Sequence, residues 1–189
     1  MSINEFELNI VAAVQEGGSS FWDGFFRVIT HLGSWYAVAA IAVLVAFCFG
    51  WRNAARYGFI VGLGAVWGWI IKIIVARPRP AVFAETIGNT AVTAKIAAGG
   101  SSFPSGHTLA VVLTVICLMY FIFNKWKPRP WIKAAVICAL ALPVLLVGFS
   151  RIYLGVHYVG DALAAIVFGI GFYYLFASII TLLSRFRAG

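Results

Sequence analysis

Residues 57–76 read YGFIVGLGAVWGWIIKIIVA, and Lys72 is the only charge among them. A helix of about 20 apolar residues crosses the hydrocarbon core of a bilayer, and a cation inside such a helix is costly enough to need a reason. Four further stretches share this character, at 34–50, 108–123, 134–149 and 162–183. The chain of 189 residues is 62% hydrophobic and 11% charged, with a mean hydropathy of +0.97; an ordinary soluble domain is about one-quarter charged. These stretches predict an all-α fold, a polytopic transmembrane helical bundle with five to six spans and an amphipathic N-terminal segment. A soluble bundle would have to hide all five in one core. The stretches at 108–123 and 134–149 are short for a span, so each is expected to borrow a turn from its flanks, which draws His107 into a helix.

Residues 1–33 are different, because Glu5, Glu7, Glu16 and Asp23 interrupt a mildly apolar, partly helix-periodic segment. They are expected to lie at the membrane interface, with residues 34–189 forming the transmembrane core of a single membrane-embedded domain over 1–189. The segment lacks the basic start, apolar run and small-residue cleavage site of a removable signal. Cys48, Cys117 and Cys138 each sit in an apolar stretch with no ligand-spaced partner, and read as small packing residues.

The formal net charge of +8 does not point to nucleic acid, because the cations fall in short loops between spans. Arg52, Arg56, Lys125, Lys127, Arg129, Lys133, Arg185 and Arg187 belong to one membrane face. All six acids, with Arg27, Lys72, Arg77, Arg79, Lys95 and Arg151, belong to the other. Cytoplasmic loops are enriched in Lys and Arg. The first face, with the C-terminus, is therefore expected in the cytoplasm and the second outside.

Three polar clusters interrupt the apolar sequence, all toward that outer face: Lys72 with Arg77-Pro78-Arg79-Pro80, then Pro104-Ser105-Gly106-His107, then Ser150-Arg151 with His157 and Asp161. Lys72 and Arg79 are seven residues apart, two turns of a continuous helix, so they would form an anion clamp on one face; Arg77 does not share the spacing and reads as a topological charge. The PSGH run resembles a helix start with Pro in the first turn, where free N–H groups bind phosphate. Gly106 would let the backbone approach a ligand, and Ser105 adds a hydroxyl. His157 and Asp161, four apart, would share a helix face so that the carboxylate fixes the imidazole tautomer. Arg151 adds a third cation. His31 lacks such company and reads as structural. Gly99, Gly100, Ser101 and Ser102 would make the end of the long connection flexible, as suits a substrate entrance and equally an ordinary loop.

These runs match, position by position, the pattern K-x6-RP, PSGH, SR-x5-H-x3-D: KIIVARPRP from Lys72, PSGH from Pro104 and SRIYLGVHYVGD from Ser150. In this the chain resembles the type-2 phosphatidic-acid phosphatases. The resemblance runs from Tyr57 to the end and implies a membrane lipid phosphatase that works through a phosphohistidine. It implies His157 as nucleophile, Asp161 as its orienter and His107 as general acid, with Lys72, Arg79, Ser105, Gly106 and Arg151 holding phosphoryl oxygens. Such chemistry needs cations and N–H groups more than a metal. The scattered acids offer no magnesium site, so no metal and no cofactor are expected. The implied partners are the bilayer and a lipid phosphate: undecaprenyl pyrophosphate, phosphatidylglycerol phosphate, phosphatidic acid or lipid A. The implied location is the inner membrane with the site facing the periplasm. The same motifs fit a lipid phosphotransferase. An anion transporter fits less well, because the sequence has no repeated half and no interrupted helix pair.

Overall fold

The computed structural model describes residues 2–186, with side chains through 176. Of the cations assigned to the cytoplasmic face, Arg187 lies outside the described residues and the side chain of Arg185 is not described. In chain order the helices are α1 (Ile3–Glu16), α2 (Ser20–Ile29), a 3₁₀ turn (Thr30–Gly33), α3 (Trp35–Phe49), α4 (Trp51–Val75), α5 (Pro80–Thr86), α6 (Gly106–Trp126), α7 (Pro130–Tyr153) and α8 (Val159–Phe186). Helices α4, α6, α7 and α8 are long and apolar enough to cross a membrane. Helices α2 and α3, bent by 54° across the 3₁₀ turn, supply a fifth crossing if they act as one span. Both short stretches borrow their missing turns: α6 begins at Gly106 and α7 runs on through Arg151.

Helix α6 is the hub, packed by α4, α7 and α8. Leu109, Leu113, Cys117 and Phe121 on α6 meet Tyr57 and Val61 on α4 and Ala165 on α8. Gly64 permits the closest of these approaches, since a Cβ there would stand 2.2 Å from Leu113 Cδ1. Bilayer helices gain from such small contact residues, because van der Waals packing, not the hydrophobic effect, drives their association. The outer helices turn large apolar side chains outward, among them Phe47, Trp69, Ile74, Leu145 and Val167. In water that surface would be untenable; against lipid tails it is the expected surface. Of the three cysteines only Cys117 is buried, so Cys48 and Cys138 do not serve as core packers.

The N-terminal segment departs from a simple interfacial reading. Ser2 and Glu5 form a reciprocal capping box that starts α1, a device that satisfies two orphan donors at once. Leu8 and Val11 of α1 pack against Ala84, Ile152 and Tyr158. Phe26 of α2 packs against Tyr153 and Leu154. The segment thus docks on the end of the bundle where α4 ends and α6 and α8 begin.

Candidate active site

Two prolines end α4 and shape the connection beyond it. A residue before Pro is pushed out of the helical region, and Arg77 and Arg79 both precede one. The helix stops at Val75, Ala76 turns left-handed at φ 47°, and Arg79 becomes the N-cap of α5. Lys72 and Arg79 are therefore not on one helix face, contrary to the expectation from their spacing. They meet through the connection instead. Lys72 Nζ donates to Ser101 O at 2.7 Å, while Arg79 Nη2 donates to Gly99 O at 2.7 Å. Ser102 Oγ adds bonds to the Arg77 and Pro78 carbonyls. The carbonyls of the glycine-serine run, from Gly99 to Ser102, are the acceptors for Lys72 and Arg79.

The PSGH run starts α6 two residues later than expected, at Gly106, because Ser105 is the N-cap and Pro104 lies outside the first turn. Ser105 is buried and is the N-cap, its Oγ accepting from Thr108 N at 3.4 Å and from Thr108 Oγ1 at 2.9 Å. Its backbone N–H reaches Asp161 O at 3.1 Å, which fastens α6 to α8. Gly106 faces open space and, with Lys72, lines a groove of about 220 Å³ between α4 and α6. Val61, Ala65, Leu109, Ala110 and Leu113 give that groove apolar walls. His107, in the first turn, is half-buried, within electrostatic reach of Arg151, His157, His31 and Arg79. A Cβ on Gly33 would stand 2.7 Å from His107 O and 2.8 Å from His107 Cβ, so the 3₁₀ turn is pressed against the backbone that carries this imidazole.

The third cluster is a tight turn between α7 and α8. Arg151 O accepts the N–H groups of both Val156 and His157, each at 3.2 Å. His157 precedes α8, so its spacing to Asp161 is that of a helix entry and not of a helix face. Asp161 reaches back across the entry: Oδ2 accepts from Tyr158 N at 3.0 Å and lies 3.3 Å from His157 Nδ1. Both side chains are buried, His157 2% exposed and Asp161 0%. Burial pushes the His157 imidazole down to about 4, against the opposing pull of its Asp161 hydrogen bond. With Nδ1 engaged by the carboxylate, Nε2 is the nitrogen turned toward the cations, in hydrogen-bond contact with Arg79 Nη1 at 3.4 Å.

Arg151 is 4% exposed; its Nη1 donates to Thr30 Oγ1 at 2.8 Å, and its Nε has no partner among the described residues. A buried guanidinium N–H without an acceptor carries a full desolvation cost, which an anion would relieve. Three further residues border the site. Thr30 accepts from Arg151, and His31, read as structural, lies on the 3₁₀ turn within electrostatic reach of His107. Arg77, read as a topological charge, donates through Nη1 to Asp161 Oδ1 at 2.8 Å and stacks 3.8 Å from the Tyr158 ring centroid. Its position two residues from Arg79 misled because helical spacing does not apply past Ala76. Among the described residues no three His, Cys, Asp or Glu side chains converge as metal ligands.

The molecule is thus a polytopic membrane protein with a buried His–Asp pair set among cations at one end of its spans. Residues 53–185 match the PAP2 superfamily, and the chain belongs to that family. It is 29% identical over 169 residues to phosphatidylglycerophosphatase B of Bacillus subtilis, covering 84% of this chain and 75% of that protein. It is 31% identical over 157 residues to the undecaprenyl-diphosphatase BcrC of the same organism, covering 80% and 73%. Among solved structures, a transmembrane PAP2-type phosphatidylglycerolphosphate phosphatase from Bacillus subtilis superposes with a TM-score of 0.81 over 98% of this chain and 89% of that one, at 23% identity. The structure of Aquifex aeolicus LpxE gives 0.69 over 92% and 99%, at 25% identity.

Proposed function

We propose that this lipid phosphatase of the PAP2 superfamily removes a phosphate or pyrophosphate from a lipid headgroup through a phosphohistidine on His157. The observation that carries this reading is a buried imidazole held by a carboxylate at Nδ1, with Nε2 turned to the Arg79 guanidinium that would hold a phosphoryl group. Nε2 attacks phosphorus and the bond to the leaving oxygen breaks, with His107 giving that oxygen its proton. Water then attacks the phosphohistidine, its proton passes to His107, and the P–N bond breaks to release inorganic phosphate. Bound phosphate brings negative charge to His107, which favours the protonated form needed for the first step. Lys72, Arg79, Ser105, Gly106 and Arg151 are assigned to the phosphoryl oxygens, where cations and N–H groups stabilise charge that grows in the transition state.

The apolar groove leading from Lys72 and Gly106 suits a lipid chain that enters from the bilayer. The relatives' names point to phosphatidylglycerophosphate, undecaprenyl diphosphate and lipid A as substrates to try. The separation of acids from the loop cations supports an inner-membrane protein with its site outside and its C-terminus in the cytoplasm. Purified protein in EDTA, given each lipid with and without a lipid acceptor, should release inorganic phosphate and pass through an acid-labile phosphohistidine at His157. Phosphate recovered only on the acceptor would make it a phosphotransferase, and labelling that survives His157→Ala would overturn the reading.

A further inference from the structure

Helix α1 carries a carboxylate on the face it buries. Asn4, Leu8 and Val11 share that face by helical spacing, and Glu7 lies beside them at 9% exposure. A buried charge persists only when paired, and Glu7 is paired twice. One oxygen takes Arg77 Nη2, and the other takes the backbone N–H of Gly160. Asn4 Oδ1 accepts from the same guanidinium, from Nε at 3.0 Å and Nη2 at 2.8 Å. The opposite edge of that guanidinium holds Asp161 Oδ1. Gly160 is the residue before Asp161, and a Cβ on it would stand 2.8 Å from Glu7 Oε1. The carboxylate therefore fits against the α8 entry only because that position has no side chain.

We propose that Glu7 is a positioning residue for the reaction, acting through Arg77 and the α8 entry to hold the Asp161 carboxylate that orients His157. It lies outside all three motifs, on the segment whose sequence promised only interfacial contact, and it makes α1 part of the site. The inference rests on reading His157 and Asp161 as the reacting pair. Charge carries the effect: with Glu7 present, Arg77 is shared between two carboxylates. Without it, Arg77 binds Asp161 alone and weakens that carboxylate as the acceptor for His157 Nδ1–H. The imidazole becomes less basic and less well held. Besides Asp161, through which the effect runs, the charged and titratable groups facing His157 are Arg79 from the α5 N-cap, Arg151 from α7 and His107 from α6, and none of these three contacts Glu7.

The test is steady-state kinetics of full-length Glu7→Gln, which keeps the shape and removes the charge. Its kcat should fall roughly tenfold, the size of one lost charge-assisted contact, with KM little changed and the acidic limb of the pH profile moved to lower pH. In an Arg77→Met background the same change should cost nothing further, because the path runs through Arg77. An unchanged kcat and pH limb, or an equal loss in the Arg77→Met background, overturns the proposal. Should Glu7→Gln fail to insert, Gly160→Ala displaces the carboxylate without removing a charge and is judged on the same two readouts. Phosphoenzyme formation in His157→Ala is measured alongside. If it persists, the reacting pair itself is wrong, a result distinct from an inert Glu7.

Discussion

His157 Nδ1 lies 3.3 Å from Asp161 Oδ2 across the entry to α8, and the same oxygen accepts the Tyr158 N–H at 3.0 Å. The carboxylate is locked by the backbone before it orients the ring, so its direction is not free to vary. Asp161→Asn would keep the shape but present an amide that can donate to Nδ1. The imidazole would then carry its proton on Nε2, where attack must occur. A His–Asp pair in an unrelated enzyme loses about 10⁴ in rate on this change. We expect phosphoenzyme formation in Asp161→Asn to slow by a comparable factor. A loss under tenfold would mean the carboxylate does not set the tautomer.

Burial holds His157 at about 4, well below the ordinary 6.5. Below that value Nε2 carries a proton and cannot attack, so the single-turnover rate should hold down to about pH 5 and fall toward pH 4. The same depression bears on stability. Folding favours the neutral ring, so this contribution is complete above 6.5 and is lost as pH falls from 6.5 toward 4. Melting temperature should therefore drop more between pH 7.5 and pH 5 in the wild type than in His157→Gln, which cannot titrate there. Equal drops would place the charge penalty elsewhere.

The spans and the three clusters were legible because a bilayer tolerates polar residues only where they are used, so every interruption carried information. The relation between clusters was not. Arg77 and Arg79 were sorted by helical spacing, but Pro78 and Pro80 break the helix, and after Ala76 their roles part: Arg79 faces His157 and Arg77 faces Asp161. Glu7 could have been found, since α1's apolar positions at Leu8 and Val11 place it on the buried face. Thr30 could not, because its bond to Arg151 joins residues 121 apart in sequence through the bend between α2 and α3.

Arg151 has its Nη1 fixed by Thr30 while its Nε is buried and unpaired. Arg151→Lys keeps a cation but loses the planar fork that meets both demands. Removing one preorganised donor from a site of developing charge costs roughly 10²–10³ in rate. Arg151→Lys should show a kcat loss of that order with melting temperature close to wild type. A destabilised protein with normal kcat would assign the guanidinium to folding alone.

The groove between α4 and α6 is lined by Lys72 and Gly106 and by the apolar Ala65 and Ala110. If it takes the lipid chain, filling it should penalise long-chain substrates and spare short ones. Each methylene displaced from an apolar wall forfeits about 0.8 kcal/mol, so two lost contacts amount to roughly a tenfold fall in kcat/KM. Ala65→Leu and Ala110→Leu should show that fall on a long-chain lipid phosphate and near-normal turnover of a soluble aryl phosphate. An equal loss on both substrates would place the chain elsewhere.

The two histidines should fail differently, because only one has a carboxylate on one ring nitrogen and the other nitrogen turned to Arg79. His157 is 2% exposed with Nδ1 held, whereas His107 is half-buried in the first turn of α6 and pressed by the 3₁₀ turn at Gly33. His157→Ala removes the attacking atom, so no phosphoenzyme should form from any substrate, however good its leaving group. His107→Ala leaves that atom in place and removes only the proton given to the leaving oxygen. General acid help is worth about 10²–10⁴ in rate, and an alkoxide leaving from a monoester needs it more than a phosphate leaving from a pyrophosphate. His107→Ala should therefore retain a larger share of its pyrophosphatase than of its monoesterase activity, and should still label at an acid-labile phosphohistidine. Supplying an aryl phosphate with an acidic phenol should restore much of the remaining loss, since that leaving group departs without a proton. Labelling that survives in His157→Ala and vanishes in His107→Ala would exchange the two assignments.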